Sequence, residues 1–261
     1  SSQRLQLVNF IKDTFGRYLS RKIVDEILES PDGRRIGGRR QTVTVLMSDL
    51  RGFSDLSDAR DPEEMVRILN RYLEAMTQVI EHYDGVIDEF IGDAILTVFG
   101  IPEEKPDDPA RAVACALAMQ QTLAQLNEEF VAEGLPILEM GIGINTDTVV
   151  SGNIGSPKRM DYTVIGDGVN LAARLESACK QYSAHLLLSE YTAKKLRGTY
   201  RLREIDHVVV KGKTEPVGVF EVLDYHTEET FPNLMDTVSY FNEGRNLYRK
   251  GASDKAIEAF K

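Results

Sequence analysis

Two aspartates stand where short apolar runs give way to glycine. Asp49 lies in Val43-Thr44-Val45-Leu46-Met47-Ser48-Asp49-Leu50-Arg51-Gly52-Phe53, and Asp93 in Ile87-Asp88-Glu89-Phe90-Ile91-Gly92-Asp93-Ala94-Ile95-Leu96. A carboxylate at a strand end can ligate Mg²⁺ while a polyphosphate fills the remaining octahedral positions. Two such carboxylates on neighbouring strands can hold two metals for in-line displacement at phosphorus. Singly, each aspartate reads equally well as an ordinary loop or turn residue. The two contexts together favour the metal reading. A second polar pair, Asn170 and Arg174, lies in Gly166-Asp167-Gly168-Val169-Asn170-Leu171-Ala172-Ala173-Arg174. On a helix that spacing puts both side chains on one face. Without the flanking glycines the same spacing would describe a solvated helix face.

The elements that must position these groups follow from periodicity and punctuation. Leu5, Leu7, Val8, Phe10, Ile11, Phe15, Leu19, Ile23, Val24, Ile27 and Leu28 recur at mostly helical spacing before Pro31-Asp32-Gly33. This segment, 1–33, reads as an amphipathic helix. It either packs on its own domain or joins an upstream sensor and pairs with its twin. Arg34 to Arg40 form a basic loop, and Val43 to Met47 a buried strand. Asp61-Pro62-Glu63-Glu64 opens a helix with proline in the first turn and acids at the positive dipole end. Val86–Ile91 and Ala94–Phe99 predict a hairpin with Gly92-Asp93 at its tip. An acidic loop, Pro102 to Pro109, leads to a helix over 110–133. Strands are predicted over 138–145, 149–153 and 185–189, a helix over 169–181, and a late hairpin over 203–210 and 217–223. The order β-α-β-β-α-β is that of a ferredoxin-like sheet with helices on one face. Residues 230–261 read as a helical tail. Gly244, Leu247, Tyr248 and Gly251, then Ala256, Ile257 and Phe260, are spaced like the opening of a tetratricopeptide unit. That tail is either the stump of an array or a terminal helix pair.

Composition narrows the class. With 261 residues and 42% hydrophobic content there is one generous domain with appendages. A net charge of −10 excludes the basic footprint of a nucleic-acid binder, so a bound triphosphate needs locally clustered Lys and Arg. Cys115 and Cys179 read as free thiols of a reducing, cytoplasmic setting. No apolar run approaches the roughly 20 residues of a membrane span, although the chain can be a piece of a larger, membrane-anchored protein.

Five blocks in order are similar to the catalytic domain of the class III nucleotide cyclases, the adenylate and guanylate cyclases, across residues 40–225. They are Ser48-Asp49-Leu50-Arg51-Gly52-Phe53, Phe90-Ile91-Gly92-Asp93, Gly141-Ile142-Gly143-Ile144-Asn145-Thr146 with Gly152-Asn153-Ile154-Gly155, the run from Asp161 to Glu176, and Val209-Val210-Lys211-Gly212-Lys213. Each alone is a weak signal, and the ordered set is specific. The resemblance implies an α+β fold with a ferredoxin-like βαββαβ core. It also implies attack of a ribose 3′-hydroxyl on the α-phosphorus with loss of pyrophosphate. Asp49 and Asp93, with the Leu50 carbonyl, would bind two divalent metal ions, Mg²⁺ or Mn²⁺. Asn170 would orient the ribose, Arg174 would stabilise the transition state, and Lys211 would contact phosphate. The family's sites draw metal ligands from one protomer and the Asn/Arg pair from the other, which implies a head-to-tail homodimer with two composite sites. The resemblance also implies an upstream sensor domain in the full-length protein. One position departs from the family: Asp147 stands where glycine is frequent, and aspartate tolerates a left-handed turn there.

Two positions read the purine in such enzymes, here Glu89 and Thr163. A carboxylate accepts from the N1 and 2-amino hydrogens of guanine and faces a bare lone pair on adenine N1. Thr163 can donate to guanine O6 or accept from the adenine 6-amino group. The pair fits guanine better, which predicts GTP to cGMP, with ATP to cAMP as the alternative. A catalytically silent nucleotide-sensing copy typically lacks a metal aspartate or the Asn/Arg pair, and this chain has all four. A diguanylate cyclase or polymerase palm would need a Gly-Gly-Asp/Glu-Glu-Phe-like hairpin, which Gly92-Asp93-Ala94 does not supply.

Overall fold

A computed structural model describes residues 2–15, 17, 19–29, 37–156, 158–196, 198, 200–210, 214–226 and 233–260. The elements in chain order are α1 (Ser2–Phe15), α2 (Arg21–Glu29), β1 (Gly37–Leu50), α3 (Phe53–Asp58), α4 (Pro62–His82), β2 (Val86–Ile91), β3 (Ala94–Phe99), α5 (Asp108–Ala132), β4 (Met140–Ser156) and β5 (Arg159–Ile165). They continue with α6 (Asp167–Gln181), β6 (Leu186–Ser189), α7 (Glu190–Ala193), β7 (Leu202–Val208), β8 (Val217–Val222), α8 (Leu234–Arg249) and α9 (Ser253–Ala259). One mixed sheet runs β2-β3-β1-β4-β6-β8-β7, with β5 paired to β4. β1 lies antiparallel between β3 and β4, which is the ferredoxin-like core.

Side chains alternate across a strand, and β1 shows what each face meets. Leu46 and Leu50 enter the core formed with α4 and α5, whereas Val43, Val45 and Met47 enter a second core with Val149, Val164 and Ala172. α4 starts where the Asp61 carboxylate accepts from the Glu64 backbone N–H at 3.0 Å. Its Met65, Ile68, Tyr72, Met76 and Ile80 follow helical spacing and are all buried. Burying each large apolar side chain stabilises by roughly 1.5–3 kcal/mol relative to leaving it in water. The expected single helix-bearing face is incomplete: α4 and α5 cover one side, and α6 covers the other through Leu171, Ala172 and Leu175. Gly143 makes that approach feasible, since a Cβ there would stand 2.2 Å from the Ala172 carbonyl oxygen.

Other expectations change at their boundaries. The N-terminal periodic segment is two helices, α1 and α2, rather than one. On α2, Ile23 packs into the second core, and the Lys22 ammonium donates to the Asp84 carbonyl at 2.9 Å. The turn Pro31-Asp32-Gly33 lies outside the described residues. The strands expected over 138–145 and 149–153 are one strand, β4. Asp147 is extended within it, opposite Val43, because pairing along the whole of β1 leaves no place for the left-handed turn. β5 follows as an edge strand with mostly exposed residues, whose weak apolar pattern hides it in the sequence. Among the described residues no helix is long and apolar enough to cross a membrane. Cys115 and Cys179 are free and buried.

The tail packs as a helix pair. Gly244 of α8 meets the Phe260 ring, and the Phe241 and Phe260 ring centroids lie 5.8 Å apart. Arg245 and Arg249 reach the Glu204 carboxylate on β7 at 3.0 and 2.8 Å.

Candidate active site

The antiparallel register of β1 and β3 pairs Ser48 with Ile95. One step further along each strand, Asp49 meets the turn carrying Asp93. That turn has two residues between the paired Ile91 and Ala94. Its first position takes φ of 65°, which glycine adopts without strain, and Gly92 occupies it. Strand parity sends Asp49 to the α6 side of the sheet. There its half-buried carboxyl faces Asp93 and, less closely, Glu176 of α6. Burial first, then the Asp93 carboxyl, then Glu176 push Asp49 up to about 7. Only the Leu50 backbone N–H, donating to Asp49 Oδ1 at 3.1 Å, opposes this.

A carboxylate pair drawn together against its own repulsion is a site that favours a cation. The donors are hard oxygens, which match Mg²⁺ or Mn²⁺ rather than softer metals. Among the described residues no set of three or more His, Cys, Asp and Glu side chains is arranged to hold a metal. A shell built on Asp49, Asp93 and the Leu50 carbonyl would leave octahedral positions for phosphate and water. Asp49, Arg51, Glu176 and Lys180 line a cavity of about 540 Å³ beside the pair. Arg51 is itself engaged, donating to the Ala184 carbonyl and lying 3.7 Å from Glu139.

The second cluster sits on the same hairpin. Ile87 pairs with Thr97 and Glu89 with Leu96, so Asp88 is the extra residue of a β-bulge. Bulges re-aim side chains and concentrate next to active sites. Here the Thr163 hydroxyl of β5 donates to Asp88 Oδ2 at 2.9 Å. Burial pushes Asp88 up to about 6, with Thr163 pulling the other way and Glu89 and Asp161 adding to the rise. Glu89 is exposed beside them.

Asn170 and Arg174 lie on the exposed side of α6, and neither is among the groups whose charge or hydrogen bonds shift Asp49. Glu176, from another side of the helix, is one of them. The structure thus brings together Asp49 with Asp93, and Thr163 with the hairpin bearing Glu89. Lys211 lies outside the described residues. Sequence reasoning missed Asp88 and Glu176. Strict alternation would have sent Asp88 to the face opposite Glu89, and only the bulge reverses that. Glu176 stands two residues beyond Arg174, a spacing that predicts divergence from the Asn170/Arg174 side of the helix and gives no sign of a place near Asp49.

Residues 37–223 match the family described as Adenylate and Guanylate cyclase catalytic domain. The chain belongs to this family. An adenylate cyclase of Anabaena cylindrica is 38% identical over 223 residues, which cover 80% of this chain and 43% of that protein. Among solved structures, the guanylyl cyclase Cya2 is 44% identical with a TM-score of 0.66, covering 72% of this chain and 94% of that one. The adenylyl cyclase CyaB from P. aeruginosa is 36% identical with the same TM-score of 0.66, covering 72% and 96%. The chain spans only part of its full-length relatives, 43% of the Anabaena protein and 32% of an adenylate cyclase from Rhizobium meliloti. Cyclase relatives thus carry both nucleotide names, and likeness alone does not choose the base.

Proposed function

We propose that this domain converts a purine nucleoside triphosphate to its 3′,5′-cyclic nucleotide and pyrophosphate, with GTP preferred. The observation that carries the reading is the Asp49–Asp93 carboxylate pair at the end of β1 and the β2–β3 turn. Asp49, Asp93 and the Leu50 carbonyl would hold two divalent metal ions, which when bound would supply acidity to the 3′-hydroxyl and positive charge to the phosphates. The protein's own task is positioning and charge stabilisation. Asn170 orients the ribose, Arg174 sets its guanidinium against the pentavalent phosphorus, and Lys211 grips phosphate. Glu89 accepts from guanine N1–H and the 2-amino group.

A second copy of the chain completes each site. Asn170 and Arg174 stand on an exposed helix side, and neither is among the groups that shift Asp49. Phe90, Ile91, Met160 and Ile165 are exposed large apolar residues around the hairpin tip and β5, and such patches mark interaction surfaces. The ATP reading has one observation in its favour: the Thr163 hydrogen is directed to Asp88 rather than toward the base.

The purified chain, given Mn²⁺ or Mg²⁺ and each nucleotide separately, should yield cGMP faster than cAMP by chromatography. Mixing Asp49→Ala chains with Arg174→Ala chains should restore activity through the one site that receives neither lesion. A mixture as inactive as its parents, despite demonstrated subunit exchange, would rule out shared sites. Absence of any cyclic product would overturn the cyclase reading.

A further inference from the structure

Thr163 is usually ambiguous as a reader of bases, since a hydroxyl both donates and accepts. In this chain its environment removes the ambiguity. Asp88 Oδ2 lies 2.9 Å from Thr163 Oγ1, and a carboxylate only accepts, so the single hydroxyl hydrogen lies on the Asp88 side. Burial pushes Asp88 up to about 6, which leaves it ionised in an assay at about pH 8. The oxygen of Thr163 then offers only lone pairs to a purine. The bulge between Ile87 and Glu89 creates this arrangement, because it places Asp88 within reach of β5 instead of across the sheet.

We infer that Asp88 is a positioning residue for base selection: it holds Thr163 as a hydrogen-bond acceptor, which favours the 6-amino group of adenine and disfavours O6 of guanine. The inference rests on the reading of Glu89 and Thr163 as base-facing residues. It implies two opposed selectors on one hairpin. Glu89 favours guanine, while Asp88, acting through Thr163, keeps ATP competitive. Discrimination between the nucleotides is therefore narrower than Glu89 alone would give.

Asp88→Asn tests this with nearly unchanged shape. Its amide can donate to Thr163 Oγ1, releasing the hydroxyl hydrogen toward guanine O6. The readout is the GTP-to-ATP ratio of kcat/KM, alongside the ratio of dissociation constants for 3′-deoxy-GTP and 3′-deoxy-ATP, which bind without cyclising. Both ratios should rise by about two- to tenfold, the range of one neutral hydrogen bond. Thr163→Val removes the acceptor and should also raise both ratios. In that background Asp88→Asn should change nothing further, whereas a merely structural link between β2 and β5 would lower both nucleotides alike. Unchanged ratios in Asp88→Asn, or an equal effect of Asp88→Asn with and without Thr163, would overturn the inference. If Asp88→Asn does not fold, an unchanged ratio in Thr163→Val overturns it as well. Glu89→Lys separates the two readings. Should it fail to move the ratios while Asp88→Asn succeeds, the role of Glu89 falls and that of Asp88 stands; the reverse pattern removes Asp88 alone.

Discussion

The β2–β3 hairpin carries two functional regions only a few residues apart, and they are built by different rules. At its tip, Gly92 supplies a left-handed turn residue, and Asp93 meets Asp49 because the β1–β3 register requires it. Along its edge, Asp88 and Glu89 gather near Thr163 because the ladder slips by one residue. The tip is regular structure punctuated by glycine, and its chemistry is readable from local residue types. The edge depends on a defect in the ladder, so a one-residue slip decides which carboxylate meets Thr163. On the proposed reading, the carboxylate pair is prepared by local residue types, whereas the Asp88–Thr163 contact is prepared by tertiary geometry.

The strongest test of this contrast removes the tip. Asp93→Ala should lower kcat by about 10²–10³-fold or more, as losing one electrostatic stabiliser of a transition state does. The thermal transition should persist, because a half-exposed carboxylate facing Asp49 contributes repulsion rather than support. Joint loss of activity and of the unfolding transition would mark Asp93 as a structural turn residue.

At the edge the expected effect is smaller and acts on preference rather than rate. Glu89→Lys should shift the GTP-to-ATP ratio of kcat/KM toward ATP by at least about tenfold, the scale of one charge-assisted hydrogen bond. A wild-type enzyme that already strongly prefers ATP would remove Glu89 from the base pocket while leaving the tip chemistry intact.

The smallest effect concerns stability. Asp49 is held up to about 7 against an ordinary value of 3.8. Its folded form is favoured while protonated, so this contribution is complete below about pH 4 and is withdrawn as pH rises toward 7. In chelator, Asp49→Asn should therefore raise Tm at about pH 8, by roughly 2–4 °C for each 1 kcal/mol of relieved repulsion. The gain should shrink toward about pH 4. Identical Tm values for both proteins across that range would show that the pair carries no repulsion in solution.

The helical tail gives a milder version of the same contrast. The spacing of Gly244, Leu247 and Phe260 left an array stump and a terminal helix pair equally open, and Gly244 meets the Phe260 ring. Nothing in that spacing placed Arg245 and Arg249 against Glu204 on β7.

What the sequence by itself determined were the features that arise within a few residues: the Pro62 and acidic first turn that open α4, its buried stripe, the Gly92-Asp93 turn, and the ordered blocks that mark the cyclase family. First-turn preference, periodicity and positive φ are local constraints, so residue type reveals them. Tertiary structure alone decided that α6 covers the second face, that Asp147 lies extended in a continuous β4, that Glu176 reaches the aspartates, and that Asp88 claims the Thr163 hydrogen. Each of these joins segments distant in the chain, where register and packing override local preference. A hydrogen bond between residues 88 and 163 has no local signature, because neither residue needs the other until the sheet brings them within 2.9 Å.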